Sequence, residues 1–169
     1  MIFLIGYMGS GKSTIAKRLS EVLQCTYIEM DEEIERREGM TIPEVFTNHG
    51  ETFFRAKESQ LLKELEGELI VSTGGGVVLS AENRQALTDH FVIYLEASFK
   101  TIQDRLAQSG NRPLWSGDSN EKQKRFNERK PLYEKVAIGR ILVDDKDPAM
   151  IVEEILLCLK KNDFGHTNR

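Results

Sequence analysis

The residues Gly6-Tyr7-Met8-Gly9-Ser10-Gly11-Lys12-Ser13 fit the pattern G-x-x-x-x-G-K-[S/T]. In this pattern the glycines let backbone N–H groups face phosphate oxygens at a helix N-terminus, the lysine reaches the β- and γ-phosphates, and the last hydroxyl binds Mg²⁺. The motif therefore predicts a loop that binds ATP or a related nucleotide, with Mg²⁺ as the metal. The residues expected to contact the nucleotide are Gly9, Ser10, Gly11, Lys12, Ser13 and Thr14.

Two carboxylates follow the second apolar run of the chain. Glu29 and Asp31 are separated by one residue, so at a strand end they can point in the same direction. Transfer of a phosphoryl group to a hydroxyl needs a carboxylate that orients the hydroxyl and accepts its proton. The pair could serve that chemistry, or it could simply open the acidic run that follows and suit a helix N-terminus.

Three consecutive glycines, Gly74–Gly76, follow the third apolar run. Glycines are entropically costly, and three of them indicate a place where the backbone approaches a ligand closely. The preceding strand does not end in an aspartate that could support a metal, so Glu29 is the candidate for that role, acting through water.

Three arginines stand out by their context: Arg55, Arg112 and Arg129. The planar guanidinium pairs with carboxylate or phosphate in a bidentate manner, so each could bind an anion. Each could equally be a surface charge.

Composition excludes several classes of protein. The chain has 169 residues, of which 40% are hydrophobic and 30% charged, and this length and balance predict one globular domain. The net charge of −4 argues against general nucleic-acid binding, and the longest apolar runs are too short to span a membrane. Cys25 and Cys158 form no C-x-x-C pair, which favours a reducing cytoplasm, and we expect both to be buried.

Charge is unevenly distributed along the chain. Between Glu29 and Glu68 there are twelve acidic and five basic residues, whereas between Lys100 and Arg140 there are ten basic and five acidic. This asymmetry could reflect solvated helix faces, or it could provide a basic side for an anionic substrate.

The elements that must position these residues alternate between two types. Apolar runs at Ile2–Ile5, Tyr27–Ile28, Leu69–Val71, Phe91–Leu95 and Ile141–Val143 predict strands. Apolar residues at helical spacing separate most of them, including Ile15, Leu19, Val22 and Leu23, which we expect to pack in the core. The alternation predicts βαβ units and a parallel sheet.

Further signals mark helix boundaries. Gly39 is placed to end a helix, Thr41 and Glu44 have capping-box spacing, and Asp147-Pro148 is typical of a helix start. Residues 109–118 are rich in turn formers and predict a loop. The sequence contains no N-K-x-D or D-x-x-G motif, so a small-molecule kinase is favoured over a GTPase switch.

In order and spacing, the chain resembles the shikimate kinase family. The resemblance rests on Gly6–Thr14, Glu29-x-Asp31, Phe54-Arg55, Ser72–Gly76, Arg112-Pro113-Leu114 and Arg129-x-Pro131-Leu132-Tyr133, and it covers nearly the whole chain. It implies a three-layer P-loop fold of the nucleoside-monophosphate-kinase type, with a five-stranded parallel sheet and a mobile lid. It also implies ATP-dependent phosphorylation of the 3-hydroxyl of shikimate.

The same resemblance implies roles for individual residues. Asp31 would hold the substrate hydroxyls and act as base, Arg55 and Arg129 would clamp the substrate carboxylate, and N–H groups around Gly75 and Gly76 would touch the substrate. Arg112 would meet the transferring phosphate from the lid, and Lys146 would flank the adenine. Ser13 and Glu29 would support Mg²⁺, although the family usually has aspartate at the position of Glu29.

The resemblance divides the chain into a kinase domain, 1–161, and a polar tail, 162–169. Within the domain it places the substrate-binding region near 31–60 and the lid near 109–118. We expect a cytoplasmic monomer with ATP and shikimate as its substrates. Two alternatives remain at this point: another small-molecule kinase such as a gluconate kinase, and a nucleotide-binding module without activity.

Overall fold

Five parallel strands form one sheet in the computed structural model, which describes residues 1–108 and 118–166. The strands are β1 (Ile2–Ile5), β2 (Thr26–Glu29), β3 (Leu69–Ser72), β4 (Phe91–Glu96) and β5 (Gly139–Leu142), in the order β2-β3-β1-β4-β5. The predicted parallel sheet of five strands is confirmed. The connections that leave β1 and β3 run to opposite sides of the sheet, which opens a crevice at the carboxyl ends of these two strands.

Seven helices flank the sheet in the described part of the chain. They are α1 (Lys12–Leu23), α2 (Met30–Glu38), α3 (Ile42–Glu64), α4 (Ala81–Leu87), α5 (Phe99–Gln108), α6 (Ser119–Val136) and α7 (Pro148–His166). A single 3₁₀ turn, Val77–Leu79, follows the three glycines. Helix α3 bends at Gly50, whose positive φ of 83° interrupts the helical path.

The core lies on both faces of the central strands. Phe3, Leu4 and Ile5 of β1 are fully buried, as are Val92 and Ile93 of β4. Strands covered by helices on both faces are apolar throughout rather than alternating, which is why these runs are recognisable in the sequence.

The predicted helix boundaries are confirmed. Gly39 adopts the left-handed conformation that ends α2. Thr41 and Glu44 form a reciprocal capping box at the start of α3. Asp147 Oδ1 accepts a hydrogen bond from the N–H of Met150 at 3.0 Å, and α7 begins at Pro148.

Two core predictions are wrong. Ile15 and Leu19 are buried as expected, but Val22 is 56% exposed and Leu23 38% exposed. The buried face of α1 ends at Ser20, so the last turn of the helix carries its apolar side chains into solvent. Cys25 and Cys158 are free and only partly buried, rather than fully enclosed.

Two further predictions concern chain segments at the limits of the description. The predicted lid, 109–118, lies outside the described residues apart from Asp118, and Arg112 falls within it. Residues 162–166, the first part of the predicted tail, continue α7. Among the helices described, none is long and apolar enough to cross a membrane.

Candidate active site

The phosphate loop, Gly6–Ser13, joins β1 to α1 at the crevice. Gly6 has a φ of +150°, and a Cβ there would lie 2.6 Å from the carbonyl oxygen of Leu95, so only glycine fits. Arg105 of α5 donates a hydrogen bond to the Gly9 carbonyl at 3.1 Å. The loop is therefore held from the neighbouring helix, by a residue that the sequence pattern did not single out.

Lys12 begins α1 and folds back over the loop. Its Nζ donates to the carbonyl oxygens of Gly6 at 2.9 Å and Tyr7 at 3.1 Å, and the residue is buried. The ammonium group thus lies among backbone groups at the positive end of the helix. This arrangement favours an anion in front of the loop, because the backbone N–H groups of the helix start and the lysine all carry positive charge.

Glu29 ends β2, and its carboxylate lies near the Ser13 hydroxyl and the Lys12 ammonium group. The pKa of Glu29 is raised, mainly by burial and further by the charge of Asp31. The hydroxyls of Ser13 and Ser72 and the charge of Lys12 oppose this shift. Within the described residues, Glu29 Oε2 is buried and has no hydrogen-bond partner. A buried oxygen of this kind is costly unless it binds something, which makes it a candidate ligand.

Asp31 lies in the first turn of α2 and faces the glycine turn, Gly74–Gly76. A Cβ on Gly74 would lie 2.9 Å from Asp31 Oδ1 and 2.7 Å from Glu58 Oε1. Two carboxylates therefore lie close to the backbone of Gly74 and leave no room for a side chain. The close approach of this turn to a ligand stays a prediction.

Glu58 of α3 is fully buried beside this turn. Burial raises the pKa of Glu58, Arg55 lowers it, and the nearby charge of Asp31 raises it further. The sequence analysis did not identify Glu58. Its position three residues after Arg55 on one helix could have identified it, because side chains at this spacing lie next to each other.

Arg55 is fixed by two carboxylates of its own helix. Its Nη1 donates to Glu58 Oε2 at 2.8 Å, and Nε contacts Glu51 Oε1 at 3.3 Å. A Cβ on Gly76 would lie 2.3 Å from the Arg55 guanidinium, so that group covers the glycine turn. The structure therefore places Arg55 at the same turn as Asp31.

Arg129 of α6 also reaches the glycine turn. Its Nη1 donates to the Gly75 carbonyl at 3.4 Å, and its Cζ lies 5.5 Å from the centre of the Tyr7 ring. Helix α6 is fastened to the sheet because Lys130 Nζ contacts Glu96 Oε1 at 2.8 Å. Arg129 is therefore held in position by the strand end on one side and the phosphate loop on the other.

These groups line a cleft of about 520 Å³ next to the phosphate loop. The cleft, as the term is used below, is bounded by Tyr7, Asp31, Arg55, the glycine turn and Arg129, with Arg125 on the same wall. Arg125 stands one helical turn before Arg129, and this spacing is the signal that could have identified it. Glu35 and Glu51 also line the cleft, and a lining of three carboxylates and three arginines suits an anion that also carries hydroxyls.

Lys146 does not join this group. Its Nζ lies 2.6 Å from Glu154 Oε1, in the ion pair that connects the start of α7 to the loop before it. Its predicted contact with adenine stays a prediction.

Ser13 and Glu29 fit a magnesium ion in the type of their donor atoms. Mg²⁺ binds hard oxygen ligands and retains water molecules, and here a carboxylate oxygen without a protein partner lies near a serine hydroxyl at the end of the phosphate loop. Together the phosphate loop, the carboxylates and the arginines can hold a nucleotide and an anionic alcohol side by side.

Comparisons with known proteins agree with this arrangement. The shikimate kinase family model matches residues 8–160. A shikimate kinase of Sulfurihydrogenibium sp. is 39% identical over 163 residues, which cover 95% of this chain and 98% of that protein. The bifunctional shikimate kinase/3-dehydroquinate synthase of Thermotoga maritima is 47% identical over 134 residues, 78% of this chain, and the match spans 27% of that longer protein.

A solved structure gives the same result. The shikimate kinase from Acinetobacter baumannii in complex with shikimate superposes with a TM-score of 0.90 at 34% identity, covering 95% of this chain and 93% of that one.

Proposed function

The chain belongs to the shikimate kinase family, and on that premise we propose how its residues carry out the reaction. The reaction is ATP-dependent phosphorylation of the 3-hydroxyl of shikimate, which yields shikimate 3-phosphate and ADP. Family membership sets aside both the gluconate kinase and the inactive nucleotide-binding module.

One observation carries the assignment of roles: Arg55, Arg129 and Asp31 all lie at the glycine turn and line one cleft beside the phosphate loop. Two guanidinium groups give a carboxylate charge-assisted partners. Asp31, in the same cleft, would accept hydrogen bonds from hydroxyls of the same molecule. This arrangement supports Arg55 and Arg129, with N–H groups around Gly75 and Gly76, as the substrate-binding residues.

The chemical step follows from this placement. The 3-hydroxyl oxygen attacks the γ-phosphorus, the bond from that phosphorus to the β–γ bridging oxygen breaks, and ADP leaves. The hydroxyl proton passes to the Asp31 carboxylate. Lys12 neutralises charge on the phosphates, and such positioning and charge neutralisation supply most of the catalysis in phosphoryl transfer.

Magnesium, when bound, neutralises charge on the phosphate oxygens of ATP. Ser13 would hold the ion directly through its hydroxyl, and Glu29 would hold it through water. The unpartnered Oε2 of Glu29 supports this role.

Arg112, which lies outside the described residues, would add positive charge at the transferring phosphoryl group from the segment 109–118. Lys146 would flank the adenine after release from Glu154. The region 31–60, which contains α2 and most of α3, would form the substrate-binding side of the cleft.

We further propose a cytoplasmic monomer that binds neither nucleic acid nor membrane. The two free cysteines support a reducing compartment. Sedimentation equilibrium at several protein concentrations tests the monomer, and a mass twice that of the chain would contradict it.

The decisive experiment measures ADP release from Mg-ATP with shikimate, with gluconate and with no acceptor. We expect turnover that depends on shikimate and a rate without acceptor close to background. Turnover with gluconate and not with shikimate would overturn the roles given to Arg55 and Arg129.

A further inference from the structure

The carbonyl of Gly75 is the point at which α6 holds the glycine turn. The Tyr133 hydroxyl donates a hydrogen bond to this oxygen, and Arg129 Nη1 donates to the same oxygen at 3.4 Å. Tyr133 is 1% exposed, and its ring stacks on Tyr94 with centroids 5.1 Å apart. The hydroxyl therefore projects from a fixed ring in the core toward the site.

This hydrogen bond determines which way one peptide group faces. In a trans peptide the carbonyl and the following N–H point in opposite directions, so a Gly75 oxygen directed at α6 places the Gly76 N–H on the side away from α6. A Cβ on Gly76 would meet the Arg55 guanidinium, so Arg55 lies beside the same residue. Gly76 and Arg55 both line the cleft, and the Gly76 N–H belongs to this wall.

The neighbouring carbonyls are held from within the turn, because Gly74 O accepts from the Val77 N–H at 3.2 Å and Gly76 O accepts from the Leu79 N–H at 3.0 Å, whereas the Gly75 carbonyl accepts from α6. Three glycines have no side chains to pack, and their backbone is the most permissive of any residue. A Cβ on Gly75 would lie 3.0 Å from the backbone nitrogen of Met8, so the turn also presses against the phosphate loop. Rotation of the Gly75–Gly76 peptide would redirect the Gly76 N–H and leave the Cα of Gly75 against the loop.

We propose that Tyr133 is a positioning residue for the acceptor. Its hydroxyl fixes the Gly75–Gly76 peptide so that the Gly76 N–H faces the acceptor carboxylate, and it shares the Gly75 oxygen with Arg129 so that the guanidinium stays beside it. The inference rests on the proposed function, because it assumes an acceptor carboxylate in the cleft. It adds a residue that lines no part of the cleft and acts only through the backbone.

The test compares Tyr133→Phe with Tyr94→Phe. Both remove one hydroxyl from a buried, mutually stacked ring, but only Tyr133 bonds to the glycine turn. For Tyr133→Phe we expect the KM for shikimate to rise about tenfold, with kcat changed less than threefold and the KM for ATP unchanged. Tyr94→Phe should keep the wild-type KM for shikimate, and equal KM values for the two variants would overturn the proposal.

A second readout separates positioning from a loss of stability. The methyl ester of shikimate lacks the negative charge that the Gly76 N–H would meet. We expect wild type and Tyr133→Phe to differ much less in kcat/KM with the ester than with shikimate. An equal loss for both acceptors would mean that Tyr133 only stabilises the fold.

Tyr133→Phe could unfold at the assay temperature, so a matched pair of unnatural residues provides a further arm. Para-aminophenylalanine at position 133 keeps a hydrogen-bond donor, whereas para-methylphenylalanine has a similar size and none. The amino residue should restore the KM for shikimate, and equal values for the pair would overturn the proposal. Wild-type protein without shikimate-dependent turnover would instead contradict the proposed function.

Discussion

The phosphate loop and the cleft lie side by side but are built differently. The loop is one continuous segment, Gly6–Ser13, whose functional groups are mostly its own backbone N–H groups and Lys12. The cleft draws Asp31 from α2, Arg55 from α3, the glycine turn from the end of β3 and Arg129 from α6. The loop therefore depends on local conformation, and the cleft depends on the packing of four separate elements.

This difference determines how each region responds to substitution. Charges in the cleft are shared: Arg55 has Glu51 and Glu58 as partners, and Arg129 contacts both Gly75 and Tyr7. We expect loss of one binding group in the cleft to weaken acceptor binding while nucleotide binding stays intact. The following predictions test whether the two regions separate in this way.

Asp31→Asn should have the largest effect, because it removes the proton acceptor next to the phosphate loop. We expect kcat to fall by about 10²- to 10⁴-fold, while the Kd for ADP, measured by calorimetry, changes less than twofold. Glu32→Gln, at the exposed neighbouring position, is the matched control and should keep wild-type kcat. Near-normal turnover of Asp31→Asn would remove Asp31 from its role.

Arg129→Ala should raise the KM for shikimate by roughly 10- to 100-fold through loss of a charge-assisted pair. The KM for ATP should remain within about threefold of the wild-type value if the two regions are separable. Lys124→Ala, on an exposed position of the same helix, serves as the control for helix stability. A KM for shikimate equal to that of wild type would show that the carboxylate is bound elsewhere.

Gly76→Ala tests the cleft without changing any charge. Its φ of −101° is allowed for alanine, but the new Cβ would displace the Arg55 guanidinium. We expect a rise of about tenfold in the KM for shikimate. Because the effect acts through Arg55, it should largely disappear when Gly76→Ala is added to Arg55→Ala, and full additivity of the two effects would contradict this reason.

Glu58→Gln tests the cost of a buried carboxylate. Burial raises the pKa of Glu58 above its unfolded value of 4.5. The contribution of protonated Glu58 to the free energy of unfolding is therefore complete below pH 4.5 and is lost as the pH rises through the pKa of the folded state. Relative to Glu58→Gln, wild type should therefore lose Tm as the pH rises above 4.5 and Glu58 ionises. Parallel Tm profiles of the two proteins in this range would show that Glu58 keeps its ordinary pKa.

The smallest effect is expected at Glu33, which lines neither region although it lies on the same helix as Asp31. Arg36 and Arg37 donate hydrogen bonds to Glu33 and lower its pKa to about 2. The contribution of ionised Glu33 to the free energy of unfolding is therefore present above pH 4.5 and is lost as the pH falls toward 2. Glu33→Gln should cost less than about 1 kcal/mol of unfolding free energy at pH 7, because the group is exposed to solvent. Its kcat and both KM values should equal those of wild type, in contrast to Asp31→Asn on the same helix.

Much of the fold follows from local patterns. The five apolar runs, the glycine that ends α2 and the capping box of α3 are short-range features, and the structure places each where the sequence predicts it. Val22 and Leu23 show the limit of such patterns. Helical periodicity gives the face of a residue but not the point at which the neighbouring element stops covering that face.

The phosphate loop could be predicted from the sequence alone, because eight consecutive residues set its backbone conformation and include its charged lysine. The sequence also identified Asp31, Arg55 and Arg129 as separate candidates. Only the tertiary structure decided that these three meet at one glycine turn, that Glu58 is buried between Asp31 and Arg55, and that Tyr133 holds the carbonyl of Gly75. The physical reason is that these residues lie far apart in the sequence: Arg129 and Tyr133 donate to the Gly75 carbonyl across 54 and 58 positions, and such separations close only when helices pack on the sheet.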